Sequence, residues 1–379
     1  MAPRLAAFWD SPSALKRAFD RAHPDVPYSD LALHTESLTV TYANSWLSAA
    51  LPGGPADPAS CAQQVVTLVH LELRDDPRCL DLNRYARFVA DAPDALPDAV
   101  AHLLRHDSLD GASARAVQAE PDALVAGGRR IRWTGRRAPR EIPWIDADVD
   151  YVVEATGLFA GREAAAGHLE SGARRVVISA PAADADLTVC VGVNEDAYDP
   201  ERHRVVSNAS CTTNATAVLL AVAERAWGIE RAAMTTVHCV TNNQVLMDAP
   251  HADPRRGRSA LLSMVPTTTS AAEAIVRVMP GLAGRVHTLA VRVPTSAVSL
   301  IDLTVLLRTE TTPEAARAAY RDAAVGSLRE VLGWCDEPLV SVDFLADTRS
   351  AVIDGPLFAL HAGRWLKIVA WYDNERGYV

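Results

Sequence analysis

Apolar and polar positions change their rhythm about halfway along the chain, and that change predicts two domains. From about residue 63, short apolar runs alternate with amphipathic stretches. Tyr151-Val-Val-Glu-Ala-Thr156 and Arg175-Val-Val-Ile-Ser179 read as buried strands, with a helix over Arg162 to Glu170 between them. Asp98 to Arg105 reads as a short helix, and Arg87 to Pro93 as a strand. This alternation predicts a doubly wound α/β domain on a parallel sheet. After residue 210 the strands lengthen and follow one another, at 234–241, 287–294, 298–307, 338–344 and 365–372. One clear helix, Pro313 to Ala324, interrupts them, so the second domain reads as α+β on a mainly antiparallel sheet. The expected division is 1–62, 63–210 and 211–379. The first segment reads as an atypical extension, with an amphipathic helix at Ala14 to Ala22 and a Pro/Gly/Ser-rich loop around Leu51 to Ser60.

Composition narrows the function classes. The chain has 379 residues, 49% of them apolar and 22% charged, and a net charge of −10. That length holds two domains with proper cores. The negative balance argues against nucleic acid as a primary ligand. The Arg-rich stretch from Arg129 to Arg137 is short and reads as a solvated hairpin face. No apolar run reaches membrane-span length, so no membrane partner is expected. Six cysteines show neither metal-ligand spacing nor close pairs, which fits a reducing cytoplasm and no metal.

The chemistry concentrates at Ser207-Asn-Ala-Ser210-Cys211-Thr212-Thr-Asn214. A β-branched pair precedes it and helix-forming residues from Ala215 to Ala223 follow, so the sulfur is expected in a helix's first turn. Unpaired N–H groups and the positive end of the helix dipole there favour thiolate over thiol. Most free cysteines are only small buried hydrophobes. Here the hydroxyl neighbours suit caps and anion contacts better than a core. Met234-Thr-Thr-Val-His238 reads as a strand ending in a histidine, which supplies a candidate base for Cys211.

The octapeptide, with Thr235-Thr-Val-His238-Cys-Val-Thr241-Asn-Asn-Gln244, closely resembles the phosphorylating glyceraldehyde-3-phosphate dehydrogenase family. Further words follow in the family's order: Asp248-Ala-Pro-His251, Arg255-Arg256-Gly-Arg258, Pro266-Thr-Thr-Thr269, Val291-Arg292-Val-Pro-Thr295 and Trp371-Tyr-Asp-Asn374-Glu375. The resemblance covers roughly residues 97 to 379 and is strongest from about 150. It makes 63–210 a dinucleotide-binding domain whose first βαβ unit is degenerate, and 211–379 the catalytic domain.

The resemblance implies that the Cys211 thiolate attacks an aldehyde and that His238 takes the hemithioacetal proton as hydride passes to NAD or NADP. Inorganic phosphate then cleaves the thioester. By motif position, Thr241 and Arg292 match the site for the sugar phosphate's own phosphate. Ser210, Thr212, Arg256 and Thr269 match the attacking-phosphate site, where Ser270 replaces the family's glycine. Thr156, Gly157 and Ser179 match loops on the nicotinamide side, and Asn374 matches the residue orienting its carboxamide. A cytoplasmic homotetramer is also implied, with subunit contacts expected in Thr235 to Leu262.

Departures from the family gather at both ends. The phosphate loop, normally Gly-x-Gly-x-x-Gly, falls near residues 66 to 74, where no glycine stands; none occurs between Gly54 and Gly111. The ribose-binding acid aligns with Ala92, beside Asp91. Arg376 replaces the usual tryptophan, and the sequence stops at Val379 where the family continues into a helix. A changed reading frame over residues 1 to about 90 accounts for the altered start; a divergent paralogue that binds sugar phosphates without tight dinucleotide binding also does. An arsenate-using or erythrose-4-phosphate variant fits the same motifs, and a Cys–His hydrolase needs only the thioester half of the chemistry.

Overall fold

The computed structural model describes residues 39–42, 66–68, 96–107, 111–112, 117–120, 123–126, 129–132, 136 and 138–378. The expected helix at 14–22, the loop at 51–60, the strand at 87–93 with Asp91, and residues 69–74 lie outside them. The described chain forms two compact units. One comprises residues up to Leu187 together with 199–208, the other 188–198 and everything from Ala209.

The first unit is built on a mostly parallel sheet. Strands β1 (Thr39–Tyr42) and β2 (Val66–Leu68) are antiparallel neighbours, and β1 also pairs in parallel with a strand more than a hundred residues on, Tyr151–Glu154. A strand from the segment set apart as an extension therefore stands inside this sheet, and Val66–Leu68 is extended where the phosphate loop was expected to begin. Helix α1 (Leu96–Arg105) buries Val100 and Ala101. Next comes a three-stranded antiparallel sheet of β3 (Val117–Glu120), β4 (Ala123–Ala126) and β5 (Arg129–Arg132). Ile131 faces the interior while Arg130 stays exposed and pairs with Glu120, as alternation on a half-solvated hairpin requires.

Strand β6 (Tyr151–Glu154), helix α2 (Arg162–Glu170) and β7 (Arg175–Ile178) form a βαβ unit, and β8 (Val205–Ser207) continues the parallel pairing beside β7. Val152, Val176, Ile178 and Val205 pack beneath the helix with Ala165. The turn out of α2 needs Gly172: its φ is +114°, and an added Cβ would stand 2.6 Å from the Ile145 backbone nitrogen.

The second unit opens with α3 (Cys211–Trp227). Its residues from Thr212 to Ala223 are buried on every side, as expected of a helix that is apolar or small all round. The sheet holds β9 (Ile229–His238), β10 (Val265–Thr267), β11 (Val286–Arg292), β12 (Ser299–Leu307), β13 (Leu332–Cys335), β14 (Ala351–Asp354), β15 (Ala359–His361) and β16 (Trp365–Tyr372). Their order is β10-β11-β9-β12-β16-β14-β13, with β15 also on β16. Pairing is antiparallel except at β9–β11 and β13–β14. Strand β12 alternates strictly, and its inward residues Ile301, Leu303, Val305 and Leu307 pack against α3 and Tyr320 of α5 (Pro313–Val325). Helix α4 (Ala271–Val278), absent from the sequence reading, buries Ala271, Ala274, Ile275 and Val278.

One expected strand is not there. Residues 338–344 end in a 3-10 turn over Ser341–Phe344, while strands occupy 332–335 and 351–354 instead. Apolar alternation misled here because Val340 and Val342 point to solvent, and the Asp343 carboxylate accepts the Val340 N–H and closes the turn.

Candidate active site

The position of Cys211, the candidate nucleophile, follows from local chain chemistry. Strand β8 ends at Ser207, and within four residues the chain turns into α3. Ala209 makes that turn at φ +56°, a left-handed conformation costing a non-glycine residue about 1–2 kcal/mol. The Tyr378 hydroxyl donates to the Ala209 carbonyl at 3.0 Å and braces the turn. Ser210 is the N-cap: its Oγ accepts the Thr213 N–H at 3.1 Å and shares a hydrogen bond with Thr213 Oγ1 at 2.8 Å. Cys211 is therefore the first helical residue, half-buried.

The candidate base arrives on β9. His238 is that strand's last residue, and its Nε2 lies 3.5 Å from Cys211 Sγ. Across the parallel β9–β11 pairing the Cα partner of His238 is Arg292. The guanidinium Nη1 lies 2.7 Å from His238 Nδ1 and 3.0 Å from the Cys239 carbonyl, which is itself 2.8 Å from Nδ1. Tyr372, on β16, stands edge-on to the imidazole with 6.0 Å between centroids. Its hydroxyl bonds Thr212 Oγ1 at 3.0 Å and Thr236 Oγ1 at 2.8 Å. Cysteine, imidazole, guanidinium and phenol thus form one contiguous set.

Electrostatics correct one expectation. Burial pushes the Cys211 thiol up, and the opposing pull of Arg292 and of the Thr212 hydroxyl and backbone N–H does not offset it. Burial thus works against the thiolate that the helix dipole favours. Burial, then Arg292, lowers His238 to about 3, so the imidazole is neutral at working pH. Cys239 is pushed up to about 12 by burial and stays a donor; its S–H reaches Asn374 Oδ1 at 3.1 Å.

The other anticipated anion ligands are placed as follows. The Thr241 hydroxyl is buried without a hydrogen-bond partner, as expected of a group awaiting a ligand. Thr212 is spoken for by Tyr372. Arg256 forms a second cluster: its Nε donates to Thr267 Oγ1 at 2.7 Å and lies 3.4 Å from Asp253 Oδ2. Thr269 Oγ1 accepts the Ala271 N–H at the start of α4, and Ser270 is exposed without a side-chain cap bond. The sheet links this cluster to Cys211 and His238: β10 carries Thr267 beside Ala290 of β11, two residues from Arg292.

In the first unit, Thr156, Gly157 and Ser179 all follow the carboxyl ends of parallel strands, where doubly wound sheets bind ligands. Gly157 has φ +73° with open space where a Cβ would point, which suits close approach of a dinucleotide to the backbone. Glu154 Oε1 accepts the Thr156 N–H at 2.8 Å and is also bonded to the Thr156 hydroxyl. Its other oxygen meets His168 Nε2 at 2.9 Å, and His168 Nδ1 accepts from Trp144 Nε1 at 3.0 Å. This buried relay holds the loop and was not read from the sequence. Neither were the roles of Tyr372 and Cys239, although both sit inside family words.

A doubly wound domain with a glycine-bearing loop at a strand end, and a second domain that pairs a cysteine with a histidine, have the make-up of a dinucleotide-dependent oxidoreductase. Family models agree with the residues: the glyceraldehyde 3-phosphate dehydrogenase C-terminal domain matches residues 210–374, and the NAD-binding domain of that enzyme matches 86–162. Glyceraldehyde-3-phosphate dehydrogenase 2 of Bacillus subtilis (strain 168) is 46% identical over 281 residues, 74% of this chain and 83% of its own length. The Geobacillus stearothermophilus enzyme is 46% identical over 290 residues, covering 76% and 86%. Glyceraldehyde-3-phosphate dehydrogenase 1 of Streptomyces avermitilis is 47% identical over 279 residues, covering 74% and 83%. The chain belongs to the glyceraldehyde-3-phosphate dehydrogenase family.

Proposed function

We propose that the protein oxidises glyceraldehyde 3-phosphate to an acyl phosphate, with NAD or NADP as cofactor and inorganic phosphate as second substrate. The observation that carries this reading is the 3.5 Å approach of Cys211 Sγ to His238 Nε2, with Arg292 beside the same imidazole. Cys211 adds to the aldehyde carbon, its thiol proton passing to His238 and on to the new alkoxide. His238 then withdraws the hemithioacetal O–H proton as hydride leaves carbon. The dinucleotide, when bound, supplies the hydride acceptor. Phosphate oxygen finally attacks the thioester carbon and gives up its own proton to solvent, Cys211 leaves as thiolate, and the imidazolium returns its proton to sulfur.

Arg292 and Thr241 are assigned to the sugar phosphate's own phosphate, a bidentate guanidinium with one waiting hydroxyl. Ser210, Arg256, Thr269 and Ser270 are assigned to the attacking phosphate, with Thr212 set behind them on Tyr372. Thr156, Gly157, Ser179 and Asn374 are assigned to the nicotinamide side. Reduction of NAD that needs both aldehyde and phosphate tests the reaction; reduction at the same rate without phosphate would count against it. In Arg292→Gln the KM for glyceraldehyde 3-phosphate is expected to rise about 10- to 100-fold through loss of charged hydrogen bonds. The KM for unphosphorylated glyceraldehyde should stay within about twofold, and equal rises for both would remove Arg292 from the phosphate site.

The glycine-free stretch before residue 111 favours one second reading, a sugar-phosphate-binding protein without tight dinucleotide binding. Calorimetry with NAD distinguishes the two, since micromolar affinity excludes the second.

We also propose a cytoplasmic homotetramer. Leu246, Met247, Leu261, Leu262 and Met264 expose 56 to 81% of their surface within or beside the segment expected to make subunit contacts, an apolar patch of the kind that marks interfaces. Leu262→Glu with Met264→Glu is expected to shift sedimentation toward smaller species; an unchanged profile would place the interface elsewhere. Among the described residues no helix is long and apolar enough to cross a membrane.

A further inference from the structure

Behind the turn from Thr156 to Leu158, two chains of hydrogen bonds run toward each other and end on one carboxylate. The side chains of Trp144, Glu154 and His168 that build this relay are at most 2% exposed. An indole N–H can only donate, so His168 Nδ1, 3.0 Å from Trp144 Nε1, must present its lone pair. The proton of the neutral ring is then on Nε2, 2.9 Å from Glu154 Oε2. From the other side the Leu158 N–H donates to Thr156 Oγ1 at 3.0 Å, and that hydroxyl donates to Glu154 Oε1. The Thr156 N–H reaches the same oxygen at 2.8 Å. Glu154 therefore accepts three hydrogen bonds and donates none, as a carboxylate does.

We propose that Glu154 and His168 are positioning residues for the dinucleotide, and that the order of donors and acceptors along the relay, not its bulk, holds the turn in its binding shape. The turn needs holding. Gly157, at φ +73°, has open space where a Cβ would point and brings a glycine's conformational freedom with it. Three attachments restrict it: Thr156 N–H and hydroxyl on Glu154, Leu158 N–H on that hydroxyl, and Phe159, whose ring meets His168 edge-on with 6.5 Å between centroids. The relay's far end is anchored away from the loop. Glu154 ends β6, His168 belongs to α2, and Trp144 leads into the 3-10 turn Ile145–Ala147. The turn is thus fixed against the strand ends where doubly wound sheets bind ligands. An amide of the same shape cannot replace the carboxylate. In Glu154→Gln one end of the side chain becomes a donor and must face either the Thr156 N–H or His168 Nε2–H, both donors. The ring cannot adapt by moving its proton to Nδ1, because the Trp144 N–H already points there. Glutamine at position 168, by contrast, keeps the order, with its NH2 toward Glu154 and its carbonyl toward Trp144.

This role rests on the reading that Thr156 and Gly157 face the dinucleotide, and calorimetry with NAD on the full-length protein and its variants separates the two. In Glu154→Gln and in His168→Leu the Kd for NAD should rise about 5- to 50-fold, through a buried donor left unpaired behind the loop. His168→Gln should stay within about threefold of wild type. Turnover should divide in the same way: the KM for NAD rises in Glu154→Gln and His168→Leu, while kcat at saturating NAD stays within about twofold. Gly157→Ala, which puts a methyl group into the cofactor's approach, tests the underlying reading. NAD binding weakened in Gly157→Ala but not in Glu154→Gln overturns the relay's role alone. So does His168→Gln binding as weakly as His168→Leu, since the imidazole's shape rather than its wiring would then matter. The two His168 variants make their comparison with the carboxylate in place, so the test stands even if Glu154→Gln does not fold. Unchanged NAD binding in Gly157→Ala, or no NAD binding by wild type, overturns the cofactor loop and the relay's role with it.

Discussion

Replacing Cys211 with serine is expected to lower kcat by more than about 10³-fold, equivalent to about 4 kcal/mol of transition-state stabilisation, with the fold unchanged. The site explains the size of the effect. A serine hydroxyl has a far higher pKa than a thiol, and burial already opposes ionisation of Cys211. His238, lowered to about 3, is a weak base in the free protein. Sulfur lets the pair function because the proton it must give up is comparatively loose; an alkoxide in that position has no comparable stabilisation. Stability should barely change, because the N-cap belongs to Ser210 and the buried face of α3 begins at Thr212. The measurements are NAD reduction with saturating aldehyde and phosphate, and a thermal melt. A variant keeping more than about a hundredth of wild-type kcat would show that carbon–sulfur bond formation is not the route.

The same residues show how far the sequence could be read. Cys211 at a helix start was legible because its signals are local: a β-branched strand end, a serine N-cap, then alanines. Its ionisation state was not, because desolvation depends on what packs over the sulfur, and that comes from β9, β11 and β16, which follow later in the chain. Thr212 shows the same limit. Its motif position suggested an anion ligand, and the hydroxyl's hydrogen bond with Tyr372, 160 residues away, could not be read beside it. The expected strand at 338–344 failed because alternation of apolar residues cannot distinguish a half-buried strand from an exposed turn. Parallel strands were recognised where they were continuous apolar runs, as in 151–154 and 175–178, since both faces of such strands are covered. Helix α4 was not legible because its eight residues give too few turns to establish a period.

The proposed catalytic imidazole links activity to acid stability, and His238→Asn should separate the two in opposite directions. Loss of the proton acceptor is expected to cost about 10²- to 10⁴-fold in kcat. Stability carries the other sign. In the folded protein His238 titrates at about 3, against an ordinary value of 6.5. Between those limits the unfolded chain binds a proton that the folded chain refuses, so stability falls as pH drops through that window and is insensitive to this group above it. Asparagine does not titrate, so the variant should lose less stability than wild type between pH 7.5 and pH 5, even if lost packing against Tyr372 makes it less stable at both. Urea unfolding at the two pH values reads the difference directly. Equal losses in wild type and variant would mean that the folded imidazole accepts its proton near the ordinary pKa. Arg292 and the surrounding burial would then not be holding it neutral, and His238 would be a cation below pH 6.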